Sequence, residues 1–186
     1  AGPGYGGSCF PKDTLALVKT AQDFESPLRL IETTVAINDN RKRAMGRKVI
    51  AACGGSVRGK KIAIFGLTFK PNTDDMRDAP SITIAQALQD GGAEVHAYDP
   101  EGMESAKPLL GPVTYGANPY EIAADADAAV IITEWDEFRA LDFKRLQSMM
   151  KNPVIVDLRN IYSNAEIADY GFQYHPIGKK LSGTPA

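Results

Sequence analysis

The sequence predicts an α/β protein in which one long helix precedes a doubly wound parallel sheet. Short apolar runs recur from residue 60 onward, each separated from the next by a segment with helical spacing. That alternation is the pattern of parallel strands covered on both faces by crossover helices. Residues 27–53 contain no proline after Pro27 and place Leu30, Ile31, Thr34, Val35, Ile37, Met45, Val49 and Ala52 at helical intervals. At about 1.5 Å per residue this predicts a helix roughly 40 Å long, of the kind that bridges domains or subunits.

In chain order, A-G-P-G-Y-G-G-S-C-F-P-K-D opens with Gly2, Gly4, Gly6 and Gly7 ahead of Cys9. Glycine permits positive φ and close approach of a ligand to bare backbone. Pro11 suits the start of a helix, where a missing N–H matters least, and T-L-A-L-V-K-T-A continues it. F-E-S-P interrupts near Pro27, and Gly54-Gly55 ends the long helix. Its middle, N-D-N-R-K-R, predicts a wet or ion-paired face, and Cys53 near its end reads as structural.

The first strand is expected at 61–66, followed by a helix at Pro80–Asp90 with Gly91-Gly92 as its stop. Further strands are expected at 93–99, 128–133 and 153–158, with F-Q-Y-H-P-I as an edge strand. Asn118-Pro119, L-D-F-K-R-L-Q-S-M-M and 164–170 supply the intervening helices. In such a sheet ligands bind beyond the carboxyl ends of the strands.

Composition narrows the function. The 186 residues are 44% hydrophobic and 24% charged, ordinary for a globular chain, and the net charge of −2 gives no electrostatic case for nucleic acid or an anionic membrane. No apolar run approaches the roughly 20 residues of a membrane span, and no signal peptide is recognisable. Two cysteines in unlike contexts make no disulfide framework, so a reducing, cytoplasmic setting is expected. A glycine loop at the very start, without an initiator Met, is expected to be the beginning of the C-terminal part of a longer chain.

The chemistry-bearing residues fall in two places. Cys9 stands where the glycine loop meets a helix N-terminus, a setting that favours thiolate, with Lys12 and Asp13 on the next turn. That grouping fits covalent catalysis, and it also fits a plain glycine turn with an inert cysteine. The first strand leads into G-L-T-F-K-P-N-T-D-D-M-R-D-A-P-S instead of the dinucleotide fingerprint G-x-G-x-x-G. Lys70 and Arg77 there suit phosphate, or local ion pairs with Asp74, Asp75 and Asp78. Arg159 in D-L-R-N pairs with Asp157 or meets a ligand anion. Trp135 reads as packing, Thr133 as a cap for the next helix, and His96 and His175 as structural. Asp99 closes a strand where a ribose-binding carboxylate would stand, but the glycine fingerprint is missing. No metal-ligand cluster is present.

G-P-G-Y-G-G-S-C-F-P-K-D-T, G-L-T-F-K-P-N-T-D-D-M-R-D-A-P-S, T-E-W-D-E-F and D-L-R-N, in that order, resemble the C-terminal part of the UDP-glucose/GDP-mannose dehydrogenase family. The resemblance extends over nearly the whole chain. G-G-S-C-F-P-K-D resembles the UDP-glucose branch, whereas UDP-N-acetylmannosamine enzymes typically have G-G-H-C. The GDP-mannose branch separates less cleanly and remains an alternative, as does a non-catalytic nucleotide-sugar-binding module. A purely structural dimerisation fragment, keeping only the long helix, is a third.

The resemblance implies residues 1–55 as a catalytic Cys loop with a central dimer-forming helix, and 56–186 as a Rossmann-like UDP-sugar domain. It implies an NAD-binding domain, and the family's catalytic lysine and glutamate, in a part that this chain lacks. The isolated chain is then expected to be inactive. It implies two successive NAD-dependent oxidations of UDP-glucose at C6 to UDP-glucuronate, with Cys9 as nucleophile and Asp13 handling water. Gly2, Tyr5, Gly6, Phe69, Lys70 and Arg159 would meet the substrate, Lys12 and Arg77 would contact NAD, and the enzyme would be a homodimer.

Overall fold

A computed structural model describes residues 2–178. Cys9 occupies the N-cap of α1 (Phe10–Asp23), so the helix starts one residue before Pro11, which stands within its first turn. Helix α2 (Arg29–Ala52) follows with 24 residues and ends where Gly54 and Gly55 take positive φ.

The C-terminal half of α2 is anchored in the core, whereas much of its N-terminal half is exposed. Met45 and Val49 are buried in the core. Gly46 brings the helix against α3 (Pro80–Asp90): a Cβ there would lie 2.8 Å from that of Ala87. Leu15 and Leu17 of α1, Phe24, and Leu30 and Ile37 of α2 are exposed.

The sheet contains β1 (Lys61–Phe65), β2 (Glu94–Tyr98), β3 (Val113–Tyr115), β4 (Ala128–Ile131), β5 (Val154–Asp157) and β6 (Gln173–Pro176), in the order β3-β2-β1-β4-β5-β6. Every strand pair is parallel. Alternation sends Ile62 and Ile64 to the face covered by α2 and α3, while Ala63 and Phe65 face the opposite core. That second core contains Ile122 of α5 (Pro119–Ala123), Phe138 of α6 (Asp136–Arg139), Leu146 of α7 (Phe143–Met149) and Ile167 of α8 (Asn164–Ala168). Chain direction across the sheet reverses between β1 and β4. The carboxyl ends of β1, β4 and β5 therefore surround the switch point, where such sheets place ligands.

Two single-turn helices, α4 (Met103–Ala106) and α6, and the edge strand β3 add to the expected elements. Four helical residues are barely more than one turn, and three extended residues are too few to display alternation. Thr133 does not cap α6; its hydroxyl donates to the Thr68 carbonyl at 2.5 Å and joins the ends of β1 and β4. His96 and His175 lie in β2 and β6, and burial lowers the pKa of each.

Candidate active site

The glycine loop is held by the long helix. Asn38, buried on α2, accepts from the Tyr5 N–H at 2.8 Å and donates to the Tyr5 carbonyl at 3.1 Å. One helical turn on, Arg41 Nε donates to the Gly2 carbonyl at 2.5 Å. Lys42, also buried, donates from Nζ to the Asp78 carbonyl at 3.0 Å, and Gly7 N–H reaches the Arg77 carbonyl at 2.7 Å. The N-D-N-R-K-R stretch is thus only partly the wet face expected: Asp39, Asn40 and Arg43 are exposed, while Asn38 and Lys42 tie two loops to the helix. The signal was their i, i+4 spacing on one face.

Glycine is required where the loop touches its neighbours. Gly7 has φ +90°, and a Cβ on it would stand 2.8 Å from the Phe69 ring. A Cβ on Gly6 would come within 2.4 Å of the Asp78 carbonyl oxygen.

Between this loop, α2 and the sheet lies a cleft of about 760 Å³. Gly2, Gly4, Tyr5 and Gly6 form one wall, and Thr34, Ile37, Asn38 and Arg41 a second. Phe69 from the loop after β1 and Arg159 from the loop after β5 complete it. Gly2, Tyr5, Gly6, Phe69 and Arg159, singled out in the sequence, meet here; Thr34, Ile37, Asn38 and Arg41 were not anticipated.

The Arg159 side chain does not pair with Asp157. Asp157 Oδ1 accepts from the Arg159 backbone N–H at 2.9 Å, and its Oδ2 accepts from Tyr174 Oη at 2.7 Å and the Tyr162 N–H at 3.2 Å. The guanidinium instead donates from Nε to the Ile132 carbonyl (2.8 Å) and from Nη2 to the Phe69 carbonyl (3.1 Å). Glu134 Oε2 lies 2.9 Å from Nε. Burial lowers the pKa of this arginine, and the Glu134 carboxylate opposes the shift.

The other candidates lie outside the cleft lining. Cys9 is exposed; its sulfur makes no capping hydrogen bond and stands 3.5 Å from Ser8 Oγ. Lys12 Nζ and Asp13 Oδ1 form an exposed pair at 2.5 Å, and hydrogen bonding to Asp13 raises the lysine pKa. Arg77 forks onto Asp75, with Nε to Oδ1 at 2.9 Å and Nη2 to Oδ2 at 2.8 Å, which raises the arginine and lowers the carboxyl. The Lys70 ammonium sits 5.5 Å from the Phe69 ring centroid.

Asp99 does not hold its carboxylate free for a ribose. Buried Asp99, at the ribose position, accepts on Oδ2 from Leu67 N, Thr68 N and Oγ1, and Trp135 Nε1. Its Oδ1 accepts from Glu101 N and Gly102 N. Those donors saturate a carboxylate. Trp135 thus both packs in the core and steadies Asp99.

Strand order and a switch-point cleft floored by a glycine loop define a Rossmann-like α/β protein built to hold a small ligand. Residues 63–164 match the UDP-binding domain of the UDP-glucose/GDP-mannose dehydrogenase family, and residues 1–40 match the family's central domain. The chain is 70% identical over 179 residues to a UDP-glucose 6-dehydrogenase of Rhizobium meliloti, covering 96% of this chain and 41% of that protein. It is 41% identical to a UDP-glucose 6-dehydrogenase of Bacillus subtilis, covering 96% of this chain and 39% of the relative. A UDP-glucose dehydrogenase structure from Pyrobaculum islandicum superposes with TM-score 0.77 at 32% identity, over 94% of this chain and 38% of that one. A UDP-D-ManNAc dehydrogenase structure from Pyrococcus horikoshii gives TM-score 0.80 at 27% identity, over 95% and 39%. The chain belongs to the UDP-glucose/GDP-mannose dehydrogenase family. It spans about two-fifths of the length of these relatives.

Proposed function

We propose that this chain is the substrate-binding and nucleophile-bearing part of an NAD-dependent dehydrogenase that oxidises UDP-glucose at C6 to UDP-glucuronate. The observation that carries this reading is that one loop serves both tasks. Gly2, Gly4, Tyr5 and Gly6 wall the cleft, and Cys9 stands exposed at the loop's other end, at the start of α1. Residues 1–55 are then the cysteine loop and dimer helix, and 56–186 the UDP-sugar domain. Among the described residues no helix is long and apolar enough to cross a membrane. Free cysteines fit a reducing, cytoplasmic setting.

In this mechanism Gly2, Tyr5, Gly6, Phe69 and Arg159 hold the nucleotide sugar, with Lys70 near its diphosphate. The Cys9 thiolate adds to the C6 aldehyde, forming a C–S bond and a thiohemiacetal that retains the intermediate. NAD, when bound, takes up one hydride at each of the two oxidations. Lys12, one helical turn beyond Cys9, and Arg77, both exposed, fit the edge of that dinucleotide, whose seat lies outside this sheet. Loss of the second hydride, with the hydroxyl proton passing to solvent, leaves a thioester. Asp13 positions water for attack on its carbonyl carbon, and the C–S bond breaks to release carboxylate and thiolate. Exposed Leu30 on the long helix, with exposed Phe24 just ahead of it, supports a homodimer through that helix.

The test is NAD reduction by the longer protein with UDP-glucose and with GDP-mannose, beside calorimetry of both ligands on this chain. Turnover of UDP-glucose with a Cys9→Ser loss of activity is the expected result. Preference for GDP-mannose, or full turnover by Cys9→Ser, would overturn the reading.

A further inference from the structure

The T-E-W-D-E-F stretch supplies Glu134, which does not line the cleft but stands directly behind an arginine that does. The nitrogens of Arg159 are unequal. Nε and Nη2 donate to the carbonyls of Ile132 and Phe69, while Nη1 faces the glycine loop so closely that a Cβ on Gly2 would lie 2.8 Å away. Only 16% of the side chain is exposed, so the guanidinium is largely removed from water. Glu134 is its one ionic partner within 4 Å among the described residues.

The pair is not an ordinary fork. The single N–H of Nε is directed at the Ile132 carbonyl, so Glu134 Oε2 at 2.9 Å receives no hydrogen from it. That oxygen is buried and has no hydrogen-bond partner among the described residues. A buried carboxylate oxygen without a donor destabilises a fold. Its contribution is therefore charge placed against the back of the guanidinium.

We infer that Glu134 is a positioning residue: it holds Arg159 in one rotamer, so that Nη1 is presented to the UDP-sugar in the cleft. This rests on the reading of the cleft as a nucleotide-sugar site. It predicts coupling between two residues of which only one touches ligand.

The test is UDP-glucose titration of the full chain carrying Glu134→Gln, Glu134→Asp, Arg159→Lys and the double variants, each checked by thermal melting. Glu134→Gln should weaken binding by about ten-fold, and Glu134→Asp, which keeps the charge, by less. In the Arg159→Lys background, Glu134→Gln should change affinity less than about two-fold. A merely structural glutamate would produce the same loss in both backgrounds, which overturns the inference, as does an unchanged Glu134→Gln affinity in a wild-type background that binds. Failure of the wild type to bind UDP-glucose overturns the cleft assignment and the inference together. If Glu134→Gln does not fold, the smaller loss in Glu134→Asp must show the same dependence on the Arg159 background, and its absence rejects the role.

Discussion

Asn38 grips the backbone of Tyr5 at both ends of one residue, accepting from its N–H at 2.8 Å and donating to its carbonyl at 3.1 Å. A flexible glycine loop thereby acquires one conformation from a rigid helix. Arg41 fixes Gly2 from the same helix. Loop shape, and with it the cleft wall, is set from outside the loop.

Asn38→Leu keeps the size and removes both hydrogen bonds, leaving two backbone groups at Tyr5 short of a partner. Each half-buried group left unpaired destabilises by about 1 kcal/mol, so the melting temperature should fall and UDP-glucose affinity should fall with it. Asn38→Asp retains the acceptor for Tyr5 N–H but sets an anion against the Tyr5 carbonyl, and should also bind weakly. Thermal melts with calorimetry check this; normal affinity in both variants would show that the loop orders itself.

Two glycine substitutions separate loop geometry from general stability. Gly6→Ala drives a Cβ to within 2.4 Å of the Asp78 backbone carbonyl, which has no rotamer by which to retreat. Gly54→Ala meets nothing within 4 Å but must hold φ +82°. Its effect is about 1–2 kcal/mol of conformational strain, without change in ligand affinity. Gly6→Ala should lose UDP-glucose binding, and equal affinities for the two variants would remove the loop from the site.

The cysteines should differ in alkylation rate and in its pH dependence. Cys9 is exposed, while Cys53 is buried and burial raises its thiol pKa above the ordinary value. The thiolate is the reacting form. With the folded-state pKa raised, Cys53 should stay protonated through neutrality and react with iodoacetamide only above the usual thiol range. The same sign means that whatever stability its thiol form contributes is present below the ordinary thiol pKa and is lost as pH rises through the folded one. Peptide mass spectrometry of a pH series tests this, and equal labelling at neutral pH would contradict it.

Much of the sheet was legible because proline and glycine punctuate it. Pro80 and Gly91-Gly92 bracket α3, and Asn118 and Asp142 cap the next helices through their side chains, accepting from Glu121 N and Arg145 N. Residues 113–115 were not, because three residues between a proline and a glycine cannot show period-two alternation. The site divides the same way. Phe69 and Arg159 stand at strand ends, where topology alone directs attention. Asn38, Arg41 and Lys42 sit in a polar helical run that composition cannot distinguish from a solvated face. Their partners, Tyr5, Gly2 and Asp78, are about 33 to 39 residues away, so the pairing is a fact of tertiary structure.

Lys70 tests whether a cation beside the cleft acts on the ligand or on its own loop. It follows the end of β1, and its ammonium rests over the Phe69 ring, a cleft residue, without itself lining the cleft. Arg77 already occupies both oxygens of Asp75, and Lys70 has no ion pair among the described residues. Its charge is therefore available to a diphosphate extending past Phe69. A charge-assisted hydrogen bond contributes about 1.5–3 kcal/mol, and exposure places Lys70 at the low end of that range. Lys70→Ala should weaken UDP and UDP-glucose together while leaving uridine, which has no phosphate, unchanged. The loss should shrink with added salt, because exposed charges are screened over about 8–10 Å at ordinary ionic strength. If Lys70 only orders the loop that carries Phe69, uridine and UDP will lose affinity equally and salt will matter little. Titrating uridine and UDP into both proteins at two salt concentrations decides between a phosphate contact and a loop brace.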